Sequence, residues 1–197
     1  QILATDSVSQ WPVLYSDTFD SNKNKWPTGS DNDEYADVSR NIKDGKYNWD
    51  ATAKKGFMGW VSADTKSVGD FHLSAEIKRA SGSSKSDYGL IFREDSDSSN
   101  LYYFAIEDDG FFVLLNYDND WSDMIEYTRS PAILPEETNH LTVIGEGSHF
   151  VFFINDQFVG EMTDDHIQKG RTAIAVQLYE TDLQATFEFD NFELRTP

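Results

Sequence analysis

The sequence predicts an all-β fold, a sandwich or a barrel of short antiparallel strands, and three observations carry that prediction. Apolar and polar residues alternate over short runs, as in Phe71-His72-Leu73-Ser74-Ala75-Glu76-Ile77-Lys78, where Phe71, Leu73, Ala75 and Ile77 share one side. Turn residues recur between the runs, and Asp108-Asp109-Gly110 between two alternating stretches is a strong hairpin signal. Nowhere do apolar residues hold a helical period over the roughly 11 positions a helix signal needs. Regularly spaced short strands with polar turns are the pattern of sandwiches and barrels.

Taken in order, residues 1–12 are polar and patternless and read as a linker arm ending at Trp11-Pro12; the domain itself occupies residues 13–197. Residues 13–20 are the first strand candidate. Residues 21–37 are crowded with Asn, Asp, Ser and Gly, which is loop chemistry. Strands are expected over 46–50, 57–61, 71–78, 88–93, 101–107 and 111–117, with a loop at 81–87. A long loop over 117–137 carries Trp121. Further strands fall at 141–144 and 150–154, and Asn155-Asp156-Gln157 turns the chain into Phe158. Residues 164–169 have room for one helical turn, and strands at 172–179 and 186–194 close the chain.

Composition narrows the function. The length of 197 residues suits one large all-β domain, and 14% aromatic residues can fill its core. No cysteine is present, which excludes disulfides, thiolate zinc sites and cysteine nucleophiles. No apolar run approaches the ~20 residues that span a bilayer. The net charge of −19, from 35 acidic and 16 basic residues, disfavours nucleic acid and anionic membranes, which need neutralising Lys and Arg. Some of the acid is available for calcium, which prefers clustered carboxylates. The four histidines lack metal-ligand spacing, and no H-E-x-x-H, G-x-S-x-G or phosphate-cradling glycine loop occurs.

Several short motifs recur in a familiar order. They are Ser16-Asp17-Thr18-Phe19-Asp20, Tyr88-Gly89-Leu90-Ile91-Phe92-Arg93, Asn100-Leu101-Tyr102-Tyr103-Phe104 and Asp109-Gly110. Trp121, Asn139-His140-Leu141, Phe153-Ile154-Asn155 and Phe189-Asp190-Asn191-Phe192 extend the series. Together they resemble the laminin-G-like, concanavalin-like family that includes 3-keto-disaccharide hydrolase-type domains and fructan-binding carbohydrate-binding modules. The resemblance covers roughly residues 13–195. It implies a two-sheet antiparallel jelly-roll sandwich, extracellular or cell-surface, appended to other domains and sugar-binding. It also implies a structural calcium between the first and last strands, where Asp17, Asp20 and Asp190 would be its ligands.

Strand alternation then assigns faces. With Leu90, Phe92, Phe104, Ile106, Ile174, Val176 and Leu178 inward, the other side carries Gly89, Ile91, Arg93, Tyr103, Ala105, Glu107, Ala175, Gln177 and Tyr179, with Glu76 joining from its own strand. The small residues leave room for a ligand on an open trough. Tyr103, Tyr179 and Trp121 would stack on a sugar, and Glu76, Arg93 and Gln177 would bond its hydroxyls. The alternative is a covered face in which Arg93 and Glu76 form a cross-strand ion pair.

One further motif competes. Glu188-Phe189-Asp190-Asn191-Phe192-Glu193 matches the E-x-D-x-x-E pattern of laminarinase-type glycosidases, and a phase change near Asn191 predicts a bulge that aligns Glu188, Asp190 and Glu193. Glu188 and Glu193 are thus the candidate catalytic carboxyls, since retaining glycosidases use two. Their place at the chain's end argues against that use. The expected function is a non-catalytic module of an exported protein that binds polysaccharide or oligosaccharide on one sheet face. A glycoside hydrolase of the same fold and an adhesive ectodomain contacting protein are the alternatives.

Overall fold

A computed structural model describes residues 8, 10–62, 66–95 and 100–197. Five strands come first: β1 (Val13–Asp17), β2 (Gly29–Asn32), β3 (Ala36–Lys43), β4 (Lys46–Ala53) and β5 (Phe57–Val61). The middle of the chain supplies β6 (Phe71–Gly82), β7 (Ser86–Glu94), β8 (Leu101–Ile106), β9 (Phe111–Tyr117) and β10 (Trp121–Arg129). The last five are β11 (Asn139–Glu146), β12 (His149–Ile154), β13 (Gln157–Thr163), β14 (Arg171–Leu178) and β15 (Gln184–Arg195).

They make two antiparallel sheets. The larger has nine strands in the order β13-β12-β11-β6-β15-β4-β3-β2, with β1 pairing the last residues of β15 beyond the end of β4. The smaller has six, in the order β10-β9-β8-β7-β14-β5. The sheets are packed face to face as a jelly-roll sandwich. Alternation along each strand drives the packing: Leu73, Ala75 and Ile77 from the large sheet meet Leu90, Phe92 and Phe104 from the small one in a single buried core. Rings fill its middle, where Phe92 stacks on Tyr102 at 5.2 Å and packs against Phe150 at the same distance.

The hairpins follow from local chemistry. Asn155 and Asp156, both at positive φ, join β12 to β13 in a two-residue turn. Asp44-Gly45 does the same between β3 and β4. That second Asp-Gly signal stands in plain sight in the sequence and marks β3, whose first residues fall in the stretch expected to be loop.

Three expected loops are partly strand: residues 81–87 hold the end of β6 and the start of β7, and the other two hold whole strands. Residues 21–37 contain β2 and the start of β3, and residues 117–137 contain β10. Both β2 and β10 are sheet edges with almost every residue exposed. Backbone pairing to β3 and to β9 holds them, so no buried alternation exists to be read. Residues 164–169 form no helical turn and lead instead to a bridge between Gly170 and Val68. The expected bulge near Asn191 is present: register shifts between Asp190 and Glu193, and Asn191 has φ 48°.

Of the arm, residues 1–7 and 9 lie outside the described residues. Val8 is buried, the Trp11 amide donates to its carbonyl, and Arg195 donates to the Trp11 carbonyl at 3.0 Å. The arm's end is therefore held against the last strand.

Candidate functional site

Arg93 does not lie on the outer face of the small sheet. Strand alternation would place it there, but Arg93 has φ 54° and the β7–β14 register slips between Arg171 and Ala173. This bulge turns the side chain through the end of the sheet. The guanidinium sits over Phe150 at 4.9 Å, is 1% exposed, and donates to the carbonyls of Ile167 (2.6 Å), Gly69 (2.9 Å) and Gly147 (2.7 Å). Gly170 makes the bulge possible, since a Cβ there would lie 2.2 Å from the Arg93 carbonyl carbon. Arg93 is thus a structural clamp for three loops. Glu94 takes the outward place and accepts from Trp60 (3.0 Å) and Ser62, with Arg171 3.2 Å away.

Glu76 is misplaced as well. It lies on β6 of the other sheet, opposite His140 and Asp190, and neither joins the trough nor pairs with Arg93. Tyr103, Gln177 and Tyr179 do share the small sheet's outer side, but the middle of that side is not an open trough. Ile91, Leu101, Tyr103, Ala105, Val113, Leu115, Ala173 and Ala175 form a second buried apolar cluster, with Met58 and Tyr117 packed against it. Gly89 is small because strands approach there: its Cβ would meet the Phe104 carbonyl oxygen at 2.0 Å.

The buried floor separates two polar ends. At one end Trp121, 40% exposed, packs on Tyr117 with ring centres 5.1 Å apart, and Trp60 bonds Glu94. At the other end, six residues along β10 and so roughly 20 Å away, Tyr127 joins a cluster of phenols and carboxylates.

That cluster is the strongest candidate site, and of its members only Tyr103, Tyr179 and Glu107 were legible on the outward face. Asp87, at the start of β7, has no exposed surface. Its Oδ1 accepts from Tyr103 at 2.7 Å; its Oδ2 accepts from Tyr179 at 3.2 Å and, at the limit of bonding, from Tyr127 at 3.5 Å. Tyr179 also bonds Glu107, which follows β8, and its hydroxyl lies 3.4 Å from that of Tyr127. Gln177 stands opposite Asp87 on β14. Burial pushes the Asp87 carboxyl up to about 7, against the pull of its phenol donors, and burial likewise pushes Glu107 up to about 7. Tyr103 and Tyr179 are pushed well above the ordinary phenol range by the same burial and the adjoining acids. Asp87 was missed because it opens its strand inside residues expected to be loop. The outward parity shared by Asp87, Gly89 and Ile91 was the signal that could have found it.

The remaining sequence candidates do not converge. Asp17 is 1% exposed and its two oxygens are taken by the Phe19 amide (2.8 Å), Asn24 (2.7 Å) and Trp26 (3.0 Å). Asp20 accepts from Thr18, and Asp190 pairs with Lys46 at 3.3 Å. No group of three or more His, Asp or Glu among the described residues is arranged to hold a metal ion. Glu188 and Glu193 do lie on one side of β15, the outer face of the large sheet, as the bulge predicts. There Glu193 is gripped by Arg195 at 2.5 and 3.0 Å, and Glu188 stands between Lys78 and Asn48. A hollow of about 470 Å³ opens on the same sheet, lined by Asp50, Thr52, Ser81, Gln184 and Thr186 among others. It offers no ring, and its Asp50 is already held by Thr186 at 2.8 Å.

Fold and layout together define a concanavalin-like jelly-roll domain. The solved structures it resembles include the carbohydrate-binding module CBM66 from Bacillus subtilis, with 20% identity, TM-score 0.60, and coverage of 74% of this chain and 86% of that one. They also include the catalytic domain of an endo-1,3-beta-glucanase (laminarinase) from Thermotoga petrophila, with 8% identity, TM-score 0.65, and coverage of 95% and 98%. At such identities the likeness shows the fold alone. No curated protein sequence matches the chain. Residues 9–195 match the family described as the 3-keto-alpha-glucoside-1,2-lyase-like domain, and the chain belongs to that family.

Proposed function

We propose that the chain is a non-catalytic carbohydrate-binding domain of an exported, extracellular protein, and that it holds uncharged sugar at the phenol–carboxylate end of the small sheet. The observation that carries this is Asp87. Two other buried aspartates are compensated: Asp108 by Arg79 and by Tyr88 at 2.6 Å, and Asp17 by the Phe19 amide, Asn24 and Trp26. Asp87 has only phenols, and no basic side chain bonds it among the described residues. Uncompensated burial of that kind costs stability and marks functional sites. Tyr127 and Glu107 bring the cluster to the surface, where a ring face and carboxylate acceptors suit a polyhydroxyl ligand. The acid around it disfavours uronates and sulfated sugars. Membership of a family named for a glucoside lyase, and a fold shared with a carbohydrate-binding module, support the reading.

A glycan array carrying neutral and anionic oligosaccharides tests it. Neutral ligands should be retained, and Tyr179→Phe and Glu107→Ala should each weaken retention about tenfold while the fold persists. Binding confined to anionic glycans, or unchanged by both substitutions, refutes the assignment.

One observation favours a second reading, an enzyme acting on glycosides. Glu107 is half-buried and keeps its proton close to neutral pH, as a general acid must. Sugar release from a polysaccharide, abolished by Glu107→Gln and untouched by Glu188→Gln, would select it.

A further inference from the structure

We propose that Asp87 and Glu107 hold one proton between them through the Tyr179 hydroxyl, and that glycan retention is switched off when that proton leaves. The second clause rests on the binding reading above, since with the proton in place the Tyr127 hydroxyl is free to donate to a sugar and without it Tyr127 has to serve Asp87; the first does not.

The cluster has fewer protons than contacts. Four oxygen–oxygen contacts meet around Tyr179: to Asp87 Oδ2 (3.2 Å), to Glu107 Oε1, to the Tyr127 hydroxyl (3.4 Å), and from Tyr127 to Asp87 Oδ2 (3.5 Å). A phenol supplies one proton and an ionised carboxylate none. Tyr103 spends its proton on Asp87 Oδ1. With both acids ionised, Tyr179 can donate to Asp87 or to Glu107 but not to both, so one carboxylate faces a lone pair. A proton on Glu107 resolves this: Glu107 donates to Tyr179, Tyr179 to Asp87, and Tyr127 to either. The move is a transfer along existing hydrogen bonds, with the proton drawn from and returned to water.

The surroundings do not supply the missing charge. Asp109 from the β8–β9 turn and Asp123 from β10 add negative field, on Glu107 and on Tyr127 respectively. Tyr103 from β8, Gln177 from β14 and Met58 from β5 are uncharged. Lys85, just before β7, is paired with Glu180 at 2.8 Å, and the Arg129 guanidinium lies over Phe111 at 4.7 Å. Burial raises both acids to about 7, in keeping with a pair that shares a proton.

Carbon-13 NMR of the carboxyl groups in the intact domain tests the shared proton without any ligand. At least one of the two should stay protonated above about pH 6, and Tyr179→Phe should uncouple their titrations. Glu107→Gln should leave Asp87 with one simple step at lower pH, which guards against a Tyr179 variant that fails to fold. Both carboxyls ionising independently below about pH 5 would overturn the proposal.

Affinity gels cast with laminarin or inulin, run at about pH 6 and pH 8.5, test the switch. Retention should fall about tenfold at the higher pH, and equal retention at both, with the proton shown to leave, would refute it. Absence of retention at either pH counts against the glycan reading instead, and the carboxyl spectra then decide the proton by themselves.

Discussion

The outer faces of the two sheets are built on the same alternation and come out as opposites. On the large sheet the outward residues are charged and meet their complements: Glu188 stands opposite Lys78, Lys46 reaches Asp190, and Arg195 grips Glu193. On the small sheet the outward residues are apolar in the middle, and the acids at its end meet phenols in place of cations. Exposed ion pairs contribute about 0.2–1 kcal/mol each and mainly keep a face wet. A buried acid without a cation contributes nothing of that kind and has to be held by the fold. The difference teaches that a sequence motif of acids, as on β15, is a weaker guide to a site than one acid denied its natural partner.

The comparison can be broken most forcefully at Arg93, the residue that alternation would give to the small sheet's face. Arg93→Met should destabilise the domain by about 3 kcal/mol or more in urea unfolding, because the buried Ile167 carbonyl and the partly buried bonds to Gly69 and Gly147 lose their donor at once. A loss under about 1 kcal/mol would return Arg93 to the surface as a ligand contact.

Tyr103→Phe should cost about 1–3 kcal/mol, since it leaves Asp87 Oδ1 buried without a donor. The loss should be larger at pH 8 than at pH 5, because the ionised acid needs the donor more.

A pH series of thermal melts sharpens the same point. Unfolded carboxyls titrate near 4, while Asp87 and Glu107 in the fold do so at about 7. Between about pH 4 and pH 7 the folded state therefore binds more protons than the unfolded one. The contribution of these two acids to stability should fall as pH rises through that window and level off above it. Asp87→Asn should flatten the slope, and a slope unchanged by that substitution would show that Asp87 is solvated.

On the large sheet the expected effects are small. Glu188→Gln should change stability by less than about 0.5 kcal/mol and leave glycan retention intact. Chelator should leave the melting temperature where it is, since Asp17 and Asp190 already spend their oxygens on protein donors. A fall on chelation would restore the calcium that the resemblance implied.

Local periodicity and turn chemistry are legible in the residues before any contact is known. Alternation in residues 71–78 and 101–106 set which side of β6 and β8 is core, Asp109-Gly110 and Asn155-Asp156 set hairpins, and the phase change at Asn191 set a bulge. Edge strands β2 and β10 escaped, because an exposed strand carries no apolar rhythm. Where alternation fails, and which side chains meet, depends on packing between distant segments. The bulge at Arg93 needs Gly170, just before β14 and some eighty residues away, to let the backbone turn, and no local pattern announces it. Likewise Asp87, Glu107, Tyr127 and Tyr179 come from β7, the end of β8, β10 and the end of β14, and only sheet registry brings their oxygens together. Local sequence specifies a side chain's direction, whereas its partners depend on non-local pairing, and the chemistry of this site depends on the partners.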